Sequence, residues 1–350
     1  MTALDEPGAL REEDAFDTDA VGAWLESHVD GLGELLEVRQ YPGGASNLTY
    51  LLRYADRELV LRRPPAGRKA KSAHDMRREY RVQRALRPVY PYVPNVLALC
   101  DDPAVLGSDF YVMERIEGVI LRGDLPAGMT LSPRDARSLA FRTFDRLIEL
   151  HRLDPEPIGL ADLGKGAGYV ERQVLGWNER YTRARTDDAP DCADVMAWLA
   201  ANRPDDVRIC VIHNDFRFDN VVLDGTSTLD VVGVLDWEMA TLGDPLMDLA
   251  GSMAYWIQAD DDETAQLLRR QPTHLPGMPT RAELVDHYCA EMGLSAANWA
   301  FYEVFGRFRL LVIMQQIYYR YRAGQTSNPA FAHFGRFAAY LADRCRAGIG

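Results

Sequence analysis

One short stretch of this chain concentrates residues able to do chemistry. The run His213-Asn214-Asp215-Phe216-Arg217-Phe218-Asp219-Asn220 has the form His-x-Asp, four residues, then Asn; Asp236-Trp237-Glu238 follows the apolar residues 231–235. These residue types suit phosphoryl transfer with a divalent metal. One carboxylate orients and deprotonates an alcohol, while an amide oxygen and a second carboxylate hold Mg²⁺ against the phosphates of ATP.

Each candidate has a plainer alternative. Asp215 is expected on a loop between two strands, where a carboxylate is both exposed and held. As a base it accepts the proton of the attacking hydroxyl, with positioning supplying most of the rate. A lone Asp there reads as a turn cap; with His213 two residues before it and Asn220 five after it, the base is the preferred reading. Asn220 enters the apolar run Val221-Val222-Leu223, and Asp236 is expected beside it from the next strand. Mg²⁺ takes hard oxygen ligands, commonly one or two carboxylates plus phosphate oxygens, so Asn220 and Asp236 are the candidate metal ligands. A carboxylate ending a buried strand is otherwise costly.

His213 is expected to brace the loop rather than bind metal, and His151 to pack or cap a helix. Asp244 and Asp248 are expected to cap a helix N-terminus and complement its dipole. Arg217 and Glu238 are the tentative substrate contacts, with pairing to a neighbouring Arg the alternative for Glu238.

These groups need a scaffold. A helix is expected from about Asp17, with Val21, Trp24 and Leu25 on one face. Residues 35–41, 48–54 and 58–63 read as strands, separated by the turn 42–47 and the hairpin signal 55–57. A helix at 73–86 and strands at 96–100 and 110–114 complete a sheet of about five strands, with residues 101–103 as a turn. Alternation puts Val60 and Arg62 on one face of their strand, where Arg62 could meet phosphates and pair with Glu79. Backbone N–H groups of the turn containing Gly44, Ser46 and Asn47 could cradle phosphates.

Beyond that point the helical period dominates. Ser132-Pro133 opens a helix to about 153, and residues 169–185, 193–202, 246–258, 281–291, 298–321 and 331–345 also read as helices. Short strands at 207–212, 220–223 and 229–236 surround the opening motif. The expectation is an α+β chain: a disordered 1–15, a small β-rich lobe at 16–116 and a larger, mainly helical lobe at 117–350.

With 39 basic against 52 acidic residues the net charge is −13, which leaves no basic excess for nucleic acid. Five dispersed cysteines without a CxxC pair suggest neither a disulfide framework nor zinc. No secretory signal and no apolar run of spanning length is seen, so a cytoplasmic protein that does not enter the membrane is expected. Oligomeric state carries no signal here.

In order, the glycine turn, the basic strand, the Glu-bearing helix, Phe110-Tyr111-Val112-Met113-Glu114, His-x-Asp-x₄-Asn and Leu235-Asp236-Trp237-Glu238 resemble the aminoglycoside phosphotransferase (phosphotransferase enzyme) family, of protein-kinase-like bilobal fold. Within it, the two long motifs look most like the kinase-like domains fused to certain acyl-CoA dehydrogenases. The resemblance implies Asp215 as base, Asn220 and Asp236 as Mg²⁺ ligands and Arg62 with Glu79 as the phosphate anchor. It also implies adenine contacts at Glu114 and Ile116, with Met113 behind them. Arg62 stands where Lys is usual, and Asn214 where Gly is common. An ATP- and Mg²⁺-dependent kinase acting on a small-molecule hydroxyl is therefore expected, with a hydroxyacyl-type metabolite as acceptor. The rival readings are an aminoglycoside or other cationic alcohol as acceptor, a non-catalytic nucleotide-binding module and a metal-dependent phosphohydrolase.

Overall fold

Alternating apolar side chains between residues 48 and 63 give the hairpin their period demands. In the computed structural model, which describes residues 6–42, 47–65, 75–225 and 229–349, Leu48–Arg53 and Glu58–Arg63 pair antiparallel. They lie inside a five-stranded antiparallel sheet ordered Glu37–Gln40, Leu48–Arg53, Glu58–Arg63, Phe110–Glu114, Val96–Cys100. One face, with Tyr50, Leu52, Leu59, Leu61 and Phe110, packs with Val21 and Leu25 of helix Thr18–His28. Asp17 caps that helix by accepting from the N–H groups of Asp19 and Ala20. The other face, with Val60, Tyr111 and Met113, meets Met76 of helix Met76–Leu86. Arg62 shares this second face with Val60, as the alternation requires.

Residues 6–15, expected to be disordered, are held by the sheet edge. Gly8 and Gln40 exchange backbone hydrogen bonds of 2.8 and 2.9 Å, and Glu12–Asp14 forms a 3₁₀ turn. The Arg63 Nε donates to the Tyr50 hydroxyl at 3.0 Å, and Arg63 also donates to the Asp14 carbonyl. An acidic, Gly- and Pro-containing composition concealed these long-range partners. The expected turn at 101–103 becomes a helix, Pro103–Leu106, with Asp102 as its cap.

A second sheet has the order Val119–Ile120, Val221–Leu223, Val231–Val234. Its first strand was not expected, since two residues display no period. This pairing, together with the Val234 N–H donating to the Tyr92 carbonyl at 2.8 Å, groups Asp219–Ala240 with Met1–Met129 in one compact unit. The expected division at 116 is corrected accordingly, because the hairpin after the motif pairs with 119–120. A Cβ on Gly118 would lie 2.1 Å from the Leu223 carbonyl oxygen. Gly118→Ala is expected to displace this edge and lower stability by about 1–3 kcal/mol, read from urea unfolding.

The other unit, Thr130–Phe218 with Thr241–Gly350, is mainly helical. Its helices are Pro133–Arg152, Tyr169–Ala184, Ala193–Ala201, Pro245–Ala254, Glu263–Leu268, Arg281–Met292, Trp299–Arg322 and Phe334–Ile349. Ser132 caps the first through the Asp135 N–H, as its sequence signal predicts. The helix expected over 246–258 stops at Ala254, and Glu263–Leu268 is a further helix. Gly306 lets Trp299–Arg322 approach Pro245–Ala254 closely, since a Cβ there would sit 2.4 Å from the Ala250 carbonyl oxygen. Cys210–Ile212 pairs antiparallel with Thr241–Gly243. The chain is thus α+β, and among the described residues no helix is long and apolar enough to cross a membrane.

Candidate active site

In the first unit the site grows from the hairpin after the motif. Asn220 ends the 3₁₀ turn Phe218–Asn220, and its carbonyl accepts the Leu235 N–H at 2.8 Å. That bond sets Asn220 beside the end of the returning strand. Asp236 is not a strand residue: the strand ends at Val234, and Asp236 has left-handed φ and ψ of 68° and 60°. For a non-glycine residue such backbone costs roughly 1–3 kcal/mol and persists where surroundings over-determine it. Those surroundings are visible. Trp237 is fully buried, and its Nε1 donates to the Val234 carbonyl at 2.8 Å. Arg78 donates to the carbonyls of Glu238, at 3.3 Å, and Ala240.

The Arg62 guanidinium is forked between two carboxylates. Nη1 lies 3.1 Å from Glu79 Oε1 and Nη2 lies 3.1 Å from Asp236 Oδ1, with Glu238 Oε2 at 3.9 Å. Glu79 Oε1 also accepts the Tyr111 hydroxyl at 2.8 Å, and Gln83 donates to that hydroxyl at 2.9 Å. Burial opposes charge on Arg62, but Glu79, then Tyr111, Asp236 and Glu238, outweigh it and hold the guanidinium well above its ordinary range. Burial pushes the Glu79 carboxyl above its ordinary value, and the adjoining guanidinium offsets only part of that rise.

A cavity of about 290 Å³ opens onto this group, lined by Asn47, Val60, Arg62, Met113, Glu114, Ile116, Asn220 and Asp236 among others. Seven of its nineteen lining residues are ones that the sequence nominates for nucleotide or metal. Glu79 sits behind Arg62, and Gly44 and Ser46 lie outside the described residues. Asn47 Nδ2 donates to Glu238 Oε2 at 3.0 Å, so Glu238 takes up a neighbour inside its own unit. The donor set fits Mg²⁺. Among the described residues no three His, Cys, Asp or Glu side chains cluster to hold a metal, and Asn220 and Asp236 line the cavity with an amide and a carboxylate. Mg²⁺ uses such a sparse hard-oxygen set when substrate phosphates complete its shell.

Asp215 belongs to the second unit, on the loop after Cys210–Ile212. Asp248 clamps this loop: its carboxylate accepts the N–H of His213 at 2.7 Å and of Asn214 at 2.8 Å. His151 Nε2 lies 3.0 Å from the same carboxylate, and His151 Nδ1 contacts the Tyr288 hydroxyl. The Asp248 side chain is fully buried. Burial pushes its carboxyl up, yet the His151 hydrogen bond, followed by the charges of His151 and His213 and the His213 N–H, holds it below the ordinary value.

Asn214 has φ of 66°, a conformation Asn tolerates better than most residues, so it can stand where glycine is usual. Its carbonyl accepts from Arg309 at 2.7 Å, and its amide oxygen accepts the Tyr169 hydroxyl at 3.2 Å. His213 Nδ1 accepts the Asp215 N–H at 3.2 Å, which makes His213 a brace of the loop. Arg217 Nη2 donates to Asp215 Oδ2 at 3.1 Å, with its guanidinium 4.4 Å from the Tyr255 ring centroid.

Asp244 is the expected helix cap, accepting from Leu246, Met247 and Val207 N–H groups. Burial pushes its carboxyl up to about 6, against the pull of those three donors. Asp248 lies in the first turn of that helix, where it complements the dipole as expected, but its loop-clamping role is not readable from that position. The signal was an Asp surrounded by Leu246, Met247, Leu249 and Ala250, since a buried carboxylate demands partners. The acidic run 260–263 is likewise structural. Asp260 accepts from Gln258, Asp261 pairs with Arg281 at 2.6 Å, and Asp262 caps Glu263–Leu268 through Ala265. All five cysteines are buried and free.

The sequence profile of the phosphotransferase enzyme family matches residues 37–284. The chain belongs to that family. Acyl-CoA dehydrogenase family member 10 of Mus musculus is 35% identical over 340 residues, covering 95% of this chain and 31% of that protein. The chain spans less than half the length of the curated relatives it matches. A crystal structure from Ralstonia eutropha JMP134, assigned as an aminoglycoside phosphotransferase, superposes with a TM-score of 0.82 at 30% identity. It covers 96% of this chain and 98% of its own. The streptomycin–ATP ternary complex of APH(2")-IIa, 16% identical with a TM-score of 0.55 over 86% of this chain and 90% of its own, shares the fold. Its fold is the protein-kinase-like fold of these phosphotransferases.

Proposed function

We propose that this phosphotransferase moves the γ-phosphoryl group of ATP, with Mg²⁺, to the hydroxyl of a small hydroxyacyl-type metabolite. The observation that carries this reading is the convergence of Arg62, Asn220 and Asp236 with Met113, Glu114 and Ile116 on one cavity. Met113, Glu114 and Ile116 take the adenine, with backbone groups of Glu114 and Ile116 as its hydrogen-bonding edge. Arg62, oriented by Glu79, takes the α/β-phosphates, with Asn47 and the adjoining turn beside them. Asn220 and Asp236 hold the metal, which when bound neutralises charge on the transferring phosphoryl group. Asp215 accepts the proton of the acceptor hydroxyl, on a loop that Asp248, Arg309 and Tyr169 keep from shifting. Donor identity draws support from the distant relative solved with ATP.

Arg217 favours an anionic or polar acceptor group, because its cation lies beside the base on the acceptor-binding loop. Asp260, Asp261 and Asp262 are engaged in capping and pairing, which weakens the case for a cationic alcohol. A coupled ADP-release screen over hydroxyacyl-CoAs, aminoglycosides, choline-like alcohols and sugars tests the reading. Release with hydroxyacyl thioesters is expected. Release with aminoglycosides alone would overturn the acceptor class. Stabilisation by Mg-ATP without release over the whole panel would point to a non-catalytic binding module.

A further inference from the structure

The fork of Arg62 has a second use. Its side chain is 12% exposed, and the Asp236 side chain it touches is 33% exposed, with Glu79 buried behind. Nη2 thus engages one oxygen of a partly exposed carboxylate that lines the cavity, while Nη1 is retained by Glu79. Glu79 has Tyr111 and Arg62 as partners and cannot release the guanidinium without leaving its own buried charge exposed to a poor environment. A divalent cation arriving alone at Asp236 would meet a fixed positive charge about one hydrogen bond away, in a setting where like charges repel strongly. Phosphates change that balance, because a guanidinium fork matches phosphate oxygens as well as carboxylates.

We propose that Arg62 guards Asp236 against metal in the nucleotide-free chain, so that a divalent cation gains this carboxylate only together with a nucleotide whose phosphates draw Nη2 away. This rests on the reading of Asp236 as a metal ligand. Lysine would weaken the guard, because a single ammonium held by Glu79 has no second donor arm fixed on Asp236. The departure from lysine at position 62 thereby becomes a device that makes metal binding conditional on nucleotide.

Mn²⁺ binding to the full chain, followed by the electron paramagnetic resonance of free Mn²⁺, tests this without turnover. The parent chain is expected to bind Mn²⁺ at Asp236 only when a non-hydrolysable ATP analogue is present. Arg62→Lys and Arg62→Gln should each bind Mn²⁺ without nucleotide at least about tenfold more tightly than the parent. Asp236→Asn should abolish the nucleotide-dependent site and, combined with either Arg62 variant, the new nucleotide-free one. Unchanged nucleotide-free affinity in both Arg62 variants, with Asp236→Asn still abolishing the nucleotide-dependent site, would overturn the guard and leave the proposed function standing. Nucleotide-dependent Mn²⁺ binding that survives Asp236→Asn would instead overturn the ligand assignment on which both rest.

Discussion

Asp215→Asn is expected to slow phosphoryl transfer by about 10²–10⁴-fold, the range a positioned general base contributes, while Mg-ATP binding is kept. The substitution is close to isosteric. The Asp215 N–H still reaches His213 Nδ1, and an amide oxygen still accepts from Arg217, so the loop geometry survives. What disappears is the ability to take a proton. Nucleotide affinity should be preserved, because the residues proposed for adenine, phosphate and metal belong to the other unit's cavity. Single-turnover transfer and calorimetric titration of nucleotide separate the two quantities. Turnover equal to that of the parent chain would remove Asp215 from the role of base.

The second large effect concerns Asp248, which touches no candidate substrate. Asp248→Ala leaves two loop N–H groups and His151 without their acceptor in a buried site, and breaking such a pair costs about 3–5 kcal/mol. Asp248→Asn keeps one acceptor oxygen and should cost less. If either variant folds, its kcat should fall with little change in the KM for ATP, because the loop rather than the nucleotide cavity is loosened. The pH dependence separates this from generic damage. The folded Asp248 carboxyl is held below its ordinary value of 3.8, so its contribution is fully present above that value and is lost as pH falls through the lower, folded one. Parent and Asn variant should therefore converge in stability only at strongly acidic pH. A constant difference across that range would contradict the clamp.

What was legible in the sequence was local. Asp215, Asn220 and Asp236 lie within one loop and hairpin, so spacing alone could nominate them. Arg62 was reached through strand alternation, and pairing of its strand with Phe110–Glu114 confirms the face it shares with Val60. The Asp248 clamp was hidden because its partner His151 is 97 residues away and no period links them. Val119–Ile120 was too short to show alternation, which is why the return of 219–240 to the first unit went unread. The left-handed turn at Asp236 was equally silent, since an apolar run predicts a strand but not how it ends. Relatives placed the chain in its family, and no motif in the sequence spells out the acceptor.

The central claim is that phosphate leaves ATP for a hydroxyl. With an acceptor found by ADP release, ³¹P nuclear magnetic resonance of the reaction should show a phosphomonoester growing in step with ADP, and the signal should vanish in Asp215→Asn. Inorganic phosphate as the sole product, formed equally by the parent chain and by Asp215→Asn, would contradict it.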